Sequence, residues 1–284
     1  TKDAVNWIRR IREDGKYWVL NPVPSVKELF PRMNNEKDGK WKTIKQKVAE
    51  NVGEISSVYY CGVKERNSAH EKNIFSWRDY RCNTKNMGFN QNSKSLIPST
   101  IDKILDINRL PDNSNIKVLP EEVKTDKIDN FNWRTSNKES MEFYLDFETM
   151  NSNFFDVSDF SNDNVIVFQL GVGYIDSKNH WVYKAFVSKN KTFVEEKNMF
   201  LKFFKFVTEA FDKEKKNGMT EYHFVHWYPH ERTCYEKVRS SMNLPFIKFM
   251  DLSKLFREEP IVVKGSLRFK LKSMTPVTTL NTAA

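Results

Sequence analysis

The chain has 284 residues, 39% of them hydrophobic and 29% charged, with a mean hydropathy of −0.65. That is enough apolar material for two domains, and no apolar run approaches the roughly 18 residues of a membrane span, so the composition describes a soluble protein. A net charge of +9 and a pI near 9.2 favour an anionic partner, nucleic acid being the commonest, although many basic proteins never touch it.

Along the chain, Ala4, Val5, Trp7, Ile8 and Ile11 form a helical stripe over Thr1–Asp14 that Gly15 ends. Pro22, Pro24 and Pro31 punctuate a loop. Trp41, Ile44, Val48, Val52 and Ile55 then recur at helical intervals opposite Lys42, Lys45, Gln46 and Glu50, which predicts a half-buried helix. Between Ile55 and Arg81, two short apolar segments flank Cys61-Gly62-Val63. The stretch 54–81 distantly resembles a helix-hairpin-helix unit, in which backbone N–H groups at a glycine turn bind phosphate. Asn73 stands where that unit would have a second glycine, and a plain helical hairpin accounts for the pattern better. Ser99 or Thr100 is expected to cap a short helix holding Ile101, Ile104 and Leu105. Residues 111–140 are polar and rich in Asn, Asp and Lys, which predicts a linker between a helical domain over 1–110 and a second domain over 141–284.

The second half changes rhythm. Glu142–Glu148, Val165–Ile175 and Trp181–Val187 read as strands, the last two joined by a turn at Asp176–Asn179. Thr192 and Glu195 make a capping box for a helix whose apolar face is Phe200, Phe203, Phe204, Val207 and Phe211, and Gly218 stops it. A strand at Tyr222–Trp227, a helix at His230–Ser241, a strand at Phe246–Asp251 and another short helix follow. This order predicts an α/β fold with a mixed sheet, a three-stranded meander followed by alternating strands and helices.

Asp146 and Glu148 are two apart on a strand and leave the same face, while Leu145 and Phe147 point into the core. Two adjacent carboxylates repel, and at an apolar strand end they are costly without a cation to neutralise them. Hard oxygen ligands suit Mg²⁺ or Mn²⁺. For an isolated D-x-E the plainer account, a solvated acid pair, carries more weight. Glu231 shifts the balance. Acids in a first helical turn usually serve the helix dipole, but if strand Tyr222–Trp227 lies parallel beside the first, Glu231 falls at the same sheet end.

LDFET at Leu145–Thr149 resembles the first motif of DEDD exonucleases of the ribonuclease H-like superfamily. VHWYPHERTCYEKV at Val225–Val238 is similar to the second motif of predicted nucleases in which such a domain follows a RecB-like region, with Glu231 where most DEDD enzymes place aspartate. MDLSKLF at Met250–Phe256 and the following GSLRFKLKSM resemble the next blocks. The resemblance covers about half the chain, and the helical first half is similar to the segment lying between the two nuclease regions of that group. The resemblance implies a ribonuclease H-like fold and a 3′–5′ exonuclease acting on DNA or RNA through two metal ions, with Asp146, Glu148 and Glu231 as metal ligands. Asp251 is the nearest candidate for the remaining acid, although its position resembles a structural acid before a helix.

No acid follows Glu259, so the last motif of that family is missing and the chain is expected to be cut or altered before it. A first residue Thr1 in place of Met likewise suggests a piece of something longer. No basic, apolar leader opens it, and Cys61, Cys82 and Cys234 form no CxxC or zinc pattern, which suits an intracellular setting, cytoplasmic or nuclear. His226 and His230 flank the second motif and serve packing more readily than proton transfer. Trp227 and Tyr228 could stack on a base, though aromatics at a strand end are more often core. Two further functions stay open: a catalytically incomplete nucleic-acid-binding module, and a helical adaptor.

Overall fold

Apolar residues at helical spacing build the first part of the chain, and period-two alternation builds the second. The computed structural model describes residues 2–35, 38–92, 94–120, 122–133, 140–151, 165–190, 192–215, 217–271 and 274. In chain order the elements begin with α1 (Lys2–Asp14), α2 (Lys42–Val52), α3 (Val63–His70), α4 (Ile97–Arg109), β1 (Val118–Leu119), β2 (Lys127–Ile128), β3 (Phe131–Asn132) and β4 (Ser140–Asn151). They continue with β5 (Val165–Ile175), β6 (Trp181–Val187), α5 (Phe193–Lys215), β7 (Glu221–His226), α6 (His230–Met242), β8 (Phe249–Asp251), α7 (Leu252–Glu258) and β9 (Val262–Val263).

Two compact units result: Thr1–Glu122 with the segment from Pro260 on, and Val123–Glu259. This corrects the expected domains over 1–110 and 141–284. Residues 111–140 hold three short strands, and β1 pairs antiparallel with β9, Val118 opposite Val263. The segment expected to close the sheet domain instead joins the helices. Burial explains it: Ile261, Val262, Val263 and Phe269 all lose their solvent contact there. Hydrogen bonds fix the return, Tyr59 N donating to Leu267 O at 2.8 Å and the Arg268 side chain donating through Nη2 to Ser56 O at 2.6 Å.

The core of the first unit gathers Ile55, Val58, Ala69, Ile74, Met87, Ile101, Ile104 and Leu105. No helical hairpin forms over 54–81. A 3-10 turn at Ile55–Ser57 precedes α3, and turns follow it. Asn73 takes the left-handed backbone (φ 57) that a glycine would favour, a conformation asparagine tolerates. Helix α4 starts two residues ahead of the expected caps, with Ser95 Oγ accepting from Ile97 N, while Thr100 lies inside it and donates to Leu96 O.

The second unit is a mixed α/β layer. Its five-stranded sheet runs β6-β5-β4-β7-β8, with β5 antiparallel to both β4 and β6, β7 parallel to β4 and β8 parallel to β7. Strand β4 is longer than expected. Strand β8 is shorter, because Asn243 leaves α6 in a left-handed turn and Phe246 stays 72% exposed. Helices α5 and α6 supply Phe200, Phe203, Val207, Tyr235 and Val238 to a core shared with Met141, Phe143, Leu145 and Phe147 of β4. On the opposite face the β2–β3 hairpin covers β7, the Phe131 ring stacking on His223 at 4.1 Å.

Candidate functional site

The alternation along β4 decides which side chains are available. Leu145 and Phe147 are buried, whereas Asp146 and Glu148 are exposed on the other face. Asp146 lies directly opposite Gly171 of β5, and Glu148 opposite Gln169. A register shift follows at once, between Glu148 and Thr149. Such a bulge bends the strand and re-aims the side chains beyond it.

The parallel pairing of β4 with β7 brings the end of β4 close to the start of α6. His230 Nε2 hydrogen-bonds with Thr149 Oγ1 at 3.2 Å. The next residue, Glu231, is only 6% exposed, and its Oε2 lies 3.5 Å from Nδ1 of His226. That imidazole nitrogen also contacts the Tyr228 carbonyl, which a left-handed residue (φ 69) turns back toward it. Burial raises the nearby Cys234 thiol to about 11, with the Glu231 charge adding to it.

Glu231 therefore reaches the expected end of the sheet on a different element and from a different side. Helix α6 packs on the core face, and Asp146 and Glu148 leave the opposite one. Among the described residues, no three His, Cys, Asp or Glu side chains come together in a way that could hold a metal ion.

Asp251 is engaged elsewhere. It is 3% exposed at the end of β8, where it caps α7 by accepting from Ser253 N and Oγ. It also accepts from Tyr228 N at 3.1 Å and pairs with Arg257 at 3.1 Å. A carboxylate with this many donors is a structural brace for the β7–α6 turn and for α7. Trp227 and Tyr228 are drawn into the same region, Trp227 edge-on to Phe256 at 5.0 Å and Tyr228 under the Arg257 guanidinium at 5.4 Å.

Two features of the sheet were not singled out from the sequence. Glycines at alternate positions of β5, Gly171 and Gly173, lie beneath the rings of Tyr183 and Trp181 from β6, and a Cβ at Gly173 would come within 2.1 Å of Trp181. At the other end of β4, Ser140 Oγ hydrogen-bonds with His223 Nδ1 at 2.9 Å, and His223 Nε2 lies 3.9 Å from Glu142. Burial lowers the His223 pKa, against the opposing pull of Glu142. The alternating glycines and aromatics are visible in GVG and WVY, but only the strand register shows that they meet.

The last motif expected from the resemblance would fall after Met274, and residues 275–284 lie outside the described residues. No helix among the described residues is long and apolar enough to cross a membrane. Comparison with protein-family models, with curated proteins and with solved structures finds no match in any of the three.

Proposed function

We propose that this chain is a cation-dependent nuclease of ribonuclease H-like architecture that hydrolyses phosphodiester bonds of DNA or RNA, as a 3′–5′ exonuclease. The observation that carries the reading is the exposed carboxylate pair Asp146–Glu148 on the central strand of the sheet. Two further features support it. The order of three antiparallel strands, helix, parallel strand, helix, parallel strand is the one the sequence resemblance implies. The first turn of α6, carrying Glu231, meets the end of β4 through His230 and Thr149.

The donor set suits a hard divalent ion, since Mg²⁺ is commonly held by one or two carboxylates together with water and substrate phosphate. Mg²⁺ or Mn²⁺ on Asp146 and Glu148 would supply an activated water and Lewis-acid stabilisation at the scissile phosphate. A second ion would need another carboxylate beside that pair, and among the described residues none joins it. That observation favours, as a second reading, a nucleic-acid-binding module that lacks the full ligand set.

The test is degradation of end-labelled DNA and RNA by the whole chain with Mg²⁺ or Mn²⁺, against Asp146→Ala and Glu148→Ala. Cleavage that both substitutions remove is expected. Cleavage that survives Asp146→Ala overturns the site, and metal-independent binding without cleavage selects the second reading.

A further inference from the structure

The face that presents Asp146 and Glu148 continues across β5 onto β6 without a cover among the described residues. Trp181 is 57% exposed and Tyr183 58%, beside Ile175 at 52% and Val187 at 60%. Both rings lie over glycine backbone. The Tyr183 hydroxyl would stand 2.7 Å from a Cβ on Gly171, and Gly171 is the direct cross-strand partner of Asp146. Tyr144, two residues before Asp146 on the same face, has its ring 5.7 Å from that of Trp181 and links the aromatic pair to the acids. Adjacent strands are about 5 Å apart, so the phenol ring and the carboxylate pair are neighbours on one surface.

The segments flanking β6 carry positive charge that fits a polyanion. From Ser177 to Val194 the chain contains Lys178, Lys184, Lys189 and Lys191 and no Asp or Glu, whereas residues 139–177 carry acids and no Lys or Arg. Lys184 leans over Phe186 and Phe206 on the other face, whereas Lys178 and Lys189 are exposed at the two ends of β6. A basic edge with aromatic rings on the adjoining face is the arrangement that tracks a phosphate backbone while unpaired bases stack. Rings laid over glycine also stabilise a glycine-bearing strand by themselves, but that role gives no reason for exposed lysines at both ends of the strand. An apolar cover is disfavoured because it would also bury two carboxylates.

We infer that Trp181 and Tyr183, with the flanking Lys178 and Lys189, form a stacking platform for a single-stranded nucleic acid whose backbone follows the β6 edge toward Asp146 and Glu148. This rests on the reading that the chain acts on nucleic acid. It adds which residues hold the strand, and that the bases are unpaired where they lie.

The experiment is fluorescence anisotropy of a labelled dT12 strand and of a 12-base-pair duplex with the whole chain in EDTA, at two salt concentrations. In EDTA, binding is read apart from cleavage. Trp181→Ala with Tyr183→Ala is expected to weaken single-strand binding by roughly ten-fold or more, with a smaller effect on the duplex. Lys178→Gln with Lys189→Gln replaces exposed side chains and keeps the fold. It is expected to flatten the salt dependence by about 1.4 in the log–log slope, at about 0.7 per lost phosphate contact. If the aromatic double variant does not fold, this lysine pair decides the matter. Single-strand binding unchanged within two-fold in both variants overturns the platform, as does a wild-type chain that binds neither probe or forms oligomers through this face. Binding that depends on these residues in a chain that never cleaves leaves the platform standing and removes the nuclease.

Discussion

Oε2 of Glu231 stands 3.5 Å from Nδ1 of His226, and neither that oxygen nor His226 Nε2 has a hydrogen-bond partner among the described atoms. Both side chains are more than nine-tenths buried. An unsatisfied buried polar atom costs about 1–3 kcal/mol, and such a group in a folded protein calls for a reason, a catalytic role or an ion among them.

Glu231→Gln keeps the shape and removes the charge. If Glu231 serves the cleavage reaction, the variant is expected to melt about 2–4 °C higher, corresponding to about 1 kcal/mol in a domain of this size. Cation-stimulated cleavage should fall at least ten-fold in the same variant. Thermal denaturation and the nuclease assay read the two effects separately. A lower melting temperature with unchanged cleavage would assign Glu231 to packing alone.

Glu196 of α5 is 2% exposed and accepts a hydrogen bond from Val167 N at 2.9 Å. Burial raises its carboxyl from 4.5 to about 7, against the lowering effect of that hydrogen bond. The folded chain then holds a proton that the unfolded chain has already released. The group's contribution to stability is fully present below about pH 4.5 and is lost as pH rises through about 7. Glu196→Gln retains an acceptor for Val167 and does not ionise. Denaturant titrations should show the variant equal to the wild type near pH 4 and more stable at pH 8, by on the order of 2–3 kcal/mol. Parallel curves for the two proteins from pH 4 to 8 would contradict the assignment.

Much of the sheet was legible because its signals are local. Alternation delimited Val165–Ile175 and Trp181–Val187 to the residue, and Thr192 opens α5 as expected, its hydroxyl accepting from Glu195 N. The D-x-E spacing likewise fixed that Asp146 and Glu148 share a face. What the text could not give was long-range pairing. That β9 returns to β1 depends on tertiary burial of Val262 and Val263, and a short apolar run looks the same in either unit. The side of the sheet from which Glu231 approaches is also tertiary, since it follows from the face on which α6 packs. For Asp251, an acid before a helix is equally a cap and a ligand in sequence, and its donors in the fold identify the cap.

Those donors make Asp251 a test of structure against chemistry. Asp251→Ala would leave Tyr228 N, Ser253 N and the Arg257 guanidinium without their common acceptor. Breaking a buried, charge-assisted network of this kind costs about 3–5 kcal/mol. The expected outcome is a marked fall in the urea midpoint, with Asp251→Asn intermediate because the amide oxygen still caps α7. Loss of cleavage in an Asp251→Asn chain of unchanged stability would instead place this acid in the reaction.

In the first unit the backbone itself is the constraint. Gly53 ends α2 in the left-handed region (φ 64), its N–H closing onto Ala49 O and Glu50 O, and its carbonyl accepts from Trp77 N at 2.8 Å. A Cβ there would meet Ser76 Oγ at 2.1 Å and Arg78 Nη1 at 2.9 Å. Gly53→Ala thus combines a left-handed penalty of about 1–2 kcal/mol with a steric displacement of the loop that caps the helix. A loss of about 2–4 kcal/mol in chemical denaturation is expected, at the upper end of ordinary single substitutions. Ser76→Gly in the same chain removes the nearest obstruction and leaves the backbone strain. The double variant should therefore recover part of the loss and not all of it. Full recovery would mean that the left-handed conformation costs nothing here, and no loss in the single variant would mean that the cap relaxes freely around the new methyl group.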